Sequence, residues 1–328
     1  MTGRSQESKM ANDSHHQNRT LPPNFEPISS SECIAWLTVF NIEAVAIVTM
    51  NALTIIIFLK ERILHKRTTY LVISLAVADM FVAYILITES LLLGVNCNLW
   101  TINLFRSFDS ITCFASLAHF FTAASVANLA AISLERMHAT FRPFKHRLLK
   151  KKMFGAAVAG VWFTAALSTA ITCSKRFRGR SDITTIFQGQ ASYLALLLCC
   201  LLIIVVSYTS IATKFNCGTH PQHHGAIRRE RKLTKTLFIV TTVSLILVMP
   251  FPFFVFLSSV TSSEMFETIS HETRKHLVYS LECLFYGNSL INPLLYAFKM
   301  PEFKRSLFLL LRCRSRSEPV QGFPLNDI

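Results

Sequence analysis

Between Cys113 and Glu135 more than 20 residues pass without an Asp, Glu, Lys or Arg, and the run closes on Glu135-Arg136-Met137. As a helix at about 1.5 Å per residue, the stretch is roughly 35 Å long, enough to cross a bilayer. An arginine at the end of such a helix is costly unless it reaches water or a partner. Arg136 is therefore expected at a membrane face, beside an acid that can hold it.

Apolar runs of the same kind recur along the chain. Spans are expected near Ile34–Leu59, Tyr70–Leu93, Ile111–Met137, Met153–Cys173, Ser192–Phe215, Leu233–Val260 and Leu277–Phe298, each long enough to cross as a helix. Composition agrees: 51% of residues are hydrophobic and 16% charged, whereas soluble chains carry about 25% charge. The fold class is an all-α membrane protein, a seven-transmembrane helix bundle. The expected organisation is an extracellular N-tail over 1–33, the bundle over 34–299, a membrane-surface helix over 300–313 and a cytoplasmic tail over 314–328. Met1–Glu32 has no apolar core of the kind a cleaved leader needs, so none is expected.

Basic residues orient the chain. The segments Lys60–Arg67, Arg136–Lys152 and Lys214–Lys235, with the tail after Phe298, hold 23 of the 33 Lys and Arg. Such an excess marks the cytoplasmic side, which places the N-terminus outside, at the plasma membrane. The net charge of +14 then lies against anionic lipid, and nucleic acid is not an expected partner. Sequons at Asn12 and Asn18 in the N-tail agree with this orientation.

Polar residues inside the spans need partners. Asp79, in the middle of the second span, should face the bundle interior. It is either a structural hydrogen-bonding acid or the centre of an ion site. Asn51, Ser125, Asn128, Asn288 and Asn292 are available neighbours, and hard oxygen ligands around one carboxylate suit a small cation. In the seventh span, Pro293 frees a backbone carbonyl, which Asn292 can bond, and Tyr296 brings a hydroxyl near the cytoplasmic end. Glu302–Arg312 mixes Lys and Arg with Phe and Leu, as an interfacial helix does. Cys313 after it is either a palmitoylation site or a free thiol.

Asn51, Asp79, Glu135-Arg136, Trp162, Tyr208, Pro250 and Asn292-Pro293-Leu294-Leu295-Tyr296 together resemble the pattern of rhodopsin-like (class A) G-protein-coupled receptors, over about Ile34 to Cys313. The resemblance implies a receptor that binds an extracellular ligand and activates a heterotrimeric G protein, with arrestin as a further partner. Arg136 would be held by Glu135, and by Glu230 unless that residue is only one charge in a basic run. Once released it would meet the G protein together with Tyr208, Asn292, Pro293 and Tyr296, while Phe144 would pack into the G-protein α subunit. Asp79, Ser125, Asn288 and Asn292 would form a sodium site; no other cofactor is expected. Family members bridge the top of the third helix to the second outer loop. Cys113 and Cys173 are the matching candidates, with Cys97 and Cys33 as alternatives, and four cysteines allow three full pairings.

Several positions depart from the family. Ala118 stands where amine receptors carry an aspartate, and Leu277–Phe298 contains no lysine for retinal. Val248, Ser244, Cys200 and Met137 replace residues usual in the family, so an atypical activation switch or unusual basal activity is expected, and the subfamily stays open. For the ligand, Glu89 lies ten residues outward of Asp79 and Glu282 ten residues outward of Asn292, each about 15 Å along its helix. In the family, spans one, two, three and seven meet there, which implies one cavity, including Ala118, His119, Phe120, Phe121 and Tyr286. The two acids would anchor a cationic peptide, an amine or a divalent ion, or else pair with Arg106, Arg178, Arg180 or Lys275. A membrane transporter is the alternative class, although paired repeats are absent. No HExxH or GxSxG motif lies in a span, so an enzyme is not expected. His220, His223 and His224 suggest a solvated loop rather than a metal site.

Overall fold

A computed structural model describes residues 29–60, 69–101, 108–148, 150–176, 183–217, 238–239, 242–244, 246–260, 270–299 and 301–311. Helix α1 (Ser30–Lys60) starts from a reciprocal cap: the Glu32 amide donates to Ser29 Oγ at 3.3 Å, and the Ser29 amide donates to Glu32 Oε2 at 3.4 Å. It is followed by α2 (Thr69–Asn96), α3 (Phe108–Phe141), α4 (Pro143–Leu148), α5 (Lys151–Arg176) and α6 (Ile183–Cys217). Then come α7 (Pro250–Val260), α8 (His271–Lys299) and α9 (Pro301–Leu311).

Helices α1, α2, α3, α5 and α6 are long and apolar enough to cross a membrane. Each overruns its expected span, by one to four residues at every end but the start of α6, where it is nine, because a helix continues past the hydrocarbon edge into the polar interface where its backbone bonds remain favourable. Helix α8 has 29 residues, about 44 Å of helix. Of the sixth expected span only 238–239, 242–244 and 246–260 are described. The short α4 was not anticipated in what reads as a basic loop.

Packing puts α3 at the centre, against α2, α5 and α6, while α1 lies on α2 and α8 closes on α1, α2 and α7. Large apolar side chains such as Ile42, Phe163 and Leu202 stay exposed on the outside, where acyl chains solvate them. Helix α9 docks through Phe303, which is buried against Phe58 of α1 and Tyr296 of α8, and its Lys304 and Arg305 stay exposed. That is the two-faced pattern of a surface helix.

The candidate cysteines pair differently from the family expectation. Cys33 at the start of α1 is bonded to Cys97 just past α2, while Cys113 and Cys173 are free. As antiparallel neighbours, α1 and α2 bring residues 33 and 97 to one level. A turn with Asn98 at φ 56° then folds Trp100 back, and its ring lies so close to Gly94 that a Cβ there would meet it at 2.0 Å. Cys113 is exposed, whereas the Cys173 thiol donates to Ser116 Oγ at 2.8 Å, a turn further along α3. The expected Cys113–Cys173 bridge is therefore not formed.

Candidate functional site

The polar core is built on Asp79, which is 0% exposed. Its Oδ1 accepts from Ser125 Oγ of α3 at 2.7 Å and from Ser289 Oγ of α8 at 2.9 Å, and its Oδ2 accepts from Asn292 Nδ2 at 2.9 Å. One carboxylate thus ties three helices together. Ser125 and Asn292 stand where the sequence suggested. Asn288 does not bond Asp79; its neighbour Ser289 does. Adjacent residues on a helix point about 100° apart, and the rotation of α8 selects Ser289.

Pro293 cannot donate to the Ser289 carbonyl one turn back. Asn51 of α1 takes that place, donating Nδ2 to Ser289 O at 3.0 Å as well as to Ile47 O at 3.0 Å. The freed carbonyl is therefore satisfied by Asn51 and not by Asn292, whose amide is engaged by Asp79. Trp162 of α5 extends the network, donating Nε1 to Ser74 Oγ of α2 at 3.1 Å. The amide oxygens of Asn128, Asn288 and Asn292 are buried without a hydrogen-bond partner among the described residues.

At the C-terminal end of α3, Arg136 is only 3% exposed and is gripped by its neighbour. Its Nε donates to Glu135 Oε2 and its Nη2 to Glu135 Oε1 at 2.7 Å, a two-point contact. A third residue joins them: His146 Nε2 from α4 lies 2.9 Å from Glu135 Oε1. The His146 ring packs against His138 at 5.7 Å and against the edge of Phe154 at 5.9 Å. Nothing local in the sequence marks His146; the turn at Pro143 brings it back to α3. Phe144 on α4 is 80% exposed. Tyr208 packs edge-on to Phe238 at 5.2 Å, and Tyr296 lies between Phe58 and Phe303 with its buried hydroxyl lacking a partner among the described residues. Glu230, Asn12, Asn18, Cys313, Arg106, Arg178, Arg180, His220, His223 and His224 lie outside the described residues.

Towards the opposite end of the bundle, Tyr286 of α8 donates its hydroxyl to Glu89 Oε1 of α2 at 2.9 Å, and Glu282 is close enough to feel the charge of Glu89. Tyr286 thus meets Glu89, with Glu282 within electrostatic range of both. Ala118 is seven residues from Ser125 and shares its side of α3, while His119 and Phe120 are turned about 120–140° away. His119 Nε2 is 3.0 Å from Ser168 Oγ of α5, and its ring packs on Tyr193 of α6. Phe120 packs on Trp162, and Phe121 stacks on Phe81 at 4.5 Å. His119, Phe120 and Phe121 thus pack between helices, and Tyr193, which His119 touches, lies within electrostatic range of Tyr286.

A further buried acid was overlooked. Glu43 of α1 takes a hydrogen bond from the Cys283 thiol, and a Cβ on Gly287 would lie 3.1 Å from its Oε1. Its Oε2 is buried without a partner among the described residues. An acid in the middle of an apolar span is the signal that singled out Asp79, and it applies equally to Glu43.

The sequence pattern of the family described as "7 transmembrane receptor (rhodopsin family)" matches residues 50–296. The chain is 23% identical over 304 residues to a "QRFP-like peptide receptor" of Branchiostoma floridae, covering 84% of this chain and 77% of the relative. It is 26% identical over 334 residues to "Trace amine-associated receptor 7c" of Rattus norvegicus, covering 91% and 88%. The fold is similar to that in a "Crystal structure of squid rhodopsin", with a TM-score of 0.71 at 14% identity, over 88% of this chain and 89% of that one. The family is one of receptors, which decides against a transporter. With Arg136 gripped at the C-terminal end of α3, Asp79 joining α2, α3 and α8, and this pattern spanning most of its length, the chain belongs to the rhodopsin family of seven-transmembrane receptors.

Proposed function

We propose that this receptor sits in the plasma membrane with its N-terminus outside, binds a ligand carrying a positive group near Glu89 and Glu282, and couples to a heterotrimeric G protein through Arg136 and α4. The observation that carries the coupling is the buried, doubly bonded Glu135–Arg136 pair. A buried arginine whose acid can let it go is a switch with two arrangements. Here His146 holds the acid from α4, the element that also presents exposed Phe144. A G protein engaging Phe144 would pull on the same short helix that steadies Glu135. Arrestin is a further partner for that face.

Glu89 and Glu282 support the ligand chemistry. Two carboxylates close together in an apolar bundle repel each other, and an ammonium or guanidinium group between them relieves that repulsion. Tyr286 supplies a hydroxyl at the same place.

The core fits a sodium ion. Carboxylate, hydroxyl and amide oxygens are the donors such an ion takes, and Asp79, Ser125 and Ser289 supply the first two kinds. The unpartnered amide oxygen of Asn292, whose nitrogen bonds Asp79, would supply the third, and that of Asn288 would join it only if its side chain turns towards Asp79. A bound sodium ion would bring a positive charge to balance Asp79. The residues themselves link α2, α3 and α8, so their arrangement sets how easily α8 can move.

The deciding experiment is nucleotide exchange on a purified heterotrimeric G protein by the receptor in lipid nanodiscs. Receptor should accelerate exchange, and Arg136→Ala should abolish the acceleration while surface expression persists. Equal exchange with and without Arg136 would refute the coupling assignment.

A further inference from the structure

At the outer rim, the N-terminal ends of α1 and α8 stand side by side and carry three metal-ligating side chains: Glu32 and Glu272 in the first turns and His276 in the second turn of α8. One donor atom from each lies within 4.8 Å of the others. Glu32 and Glu272 each have an ordinary place in a helix's first turn, where acids complement the backbone dipole. That accounts for neither their convergence nor the imidazole beside them. His276 Nε2 is 3.8 Å from Glu32 Oε1. Exposed Glu272 makes no hydrogen bond or ion pair among the described residues. Two carboxylates therefore approach one another with a single imidazole in contact, an arrangement that a cation would stabilise.

The scaffold around the three residues is stiff. Glu32 is capped by Ser29 and is followed directly by Cys33, whose bond to Cys97 fixes the end of α1 to α2. Helix α8 is capped by Ser270, whose Oγ accepts from the Thr273 amide at 3.2 Å. His276 is held from the other side: Trp36 Nε1 donates to its Nδ1 at 3.2 Å, and the two rings pack at 6.1 Å.

We propose that Glu32, Glu272 and His276 form an extracellular zinc site joining the outer ends of α1 and α8, separate from the proposed ligand and sodium positions. One imidazole with two carboxylates is a donor set zinc accepts with water completing its shell, whereas calcium and magnesium prefer oxygen alone. The atoms must close in by small side-chain rotations to reach bonds of about 2.0–2.2 Å, which exposed Glu272 can make. The chemistry at the imidazole is specific. While Trp36 donates to Nδ1, the neutral ring carries its proton on Nε2. Zinc takes the Nε2 lone pair, so the proton moves to Nδ1 and the ring stays neutral. Nδ1 then no longer accepts from Trp36. Trp36 therefore competes with the metal, and removing its N–H should tighten binding.

The test is a titration of chelator-stripped, untagged full-length receptor with zinc chloride against a chromophoric zinc indicator. His15, His16, His220, His223 and His224 are changed to Gln in every sample, so that these histidines add no zinc of their own. One zinc per receptor is expected, undisturbed by excess calcium or magnesium. His276→Ala and Glu272→Gln should each weaken binding by about tenfold or more, and Trp36→Phe should strengthen it. Glu272 is exposed, so its variant carries the test if His276→Ala fails to fold. Unchanged zinc affinity in Glu272→Gln and His276→Ala overturns the site. Unchanged or weakened binding in Trp36→Phe overturns the competition between Trp36 and the metal, and with it the tautomer exchange at His276.

Discussion

Replacing Asp79 tests the core most sharply, because two substitutions separate its hydrogen bonding from its charge. Asp79 accepts three hydrogen bonds, from Ser125, Ser289 and Asn292, at 2.7–2.9 Å. Side-chain hydrogen bonds between membrane helices average about 0.6 kcal/mol, with a maximum near 1.7. Bonds to a charged acceptor belong towards the upper end. Asp79→Ala deletes all three and leaves three buried donors, so a loss of about 2–5 kcal/mol is expected. Asp79→Asn is different. Its amide oxygen still accepts from both serines, and Asn292 can turn its amide over to present the oxygen that now lacks a partner. The loss should be about 1 kcal/mol or less, but the charge is gone. The assay is thermal inactivation of detergent-solubilised receptor, followed by size-exclusion recovery, in sodium chloride and in choline chloride at equal ionic strength. Wild type should be stabilised by sodium; Asp79→Asn should be nearly as stable in choline yet gain nothing from sodium; Asp79→Ala should be the least stable in both. A sodium increment that survives in Asp79→Asn would refute the ion site. Wild-type stability of Asp79→Ala would refute the three-helix link.

Other consequences can be checked separately. His146→Ala removes the α4 contact on Glu135 and should raise basal nucleotide exchange, whereas Phe144→Ala, at an exposed position, should leave stability unchanged and weaken coupling by up to about 2–3 kcal/mol of lost apolar contact; equal exchange in both variants and wild type would count against α4. Glu89→Gln and Glu282→Gln should each reduce the potency of a cationic agonist about tenfold or more, the scale of a lost charge-assisted hydrogen bond, read as a rightward shift in a dose–response series. Cys33→Ser or Cys97→Ser opens a loop of 64 residues and should destabilise the receptor by up to about 4 kcal/mol on chain-entropy grounds, whereas Cys113→Ser should not, a contrast read by the same thermal assay. Asn12→Gln with Asn18→Gln should abolish a glycosidase-sensitive mobility shift, and an N-tail epitope stained only in permeabilised cells would reverse the proposed orientation.

The spans, the gripped arginine, the acid at Asp79 and the proline in α8 were all legible in the chain. Each is a local property: an apolar run of bilayer length, a charge at its end, a polar residue it must bury, a missing amide. Which neighbour each polar group meets was decided elsewhere. Ser289 rather than Asn288 bonds Asp79, Asn51 rather than Asn292 caps the carbonyl freed by Pro293, and Cys33 rather than Cys113 takes part in the bridge. His146 reaches Glu135 only because α4 turns back, His119 meets Ser168 and Tyr193, and Phe120 and Phe121 meet Trp162 and Phe81. In a soluble helix the apolar stripe marks the buried face and so sets the rotation. In lipid the outward face is as apolar as the inward one, so composition locates a helix along the bilayer normal but leaves its rotation open. Rotation, and with it every partner across the bundle, is settled only when the packed helices satisfy their few polar groups together.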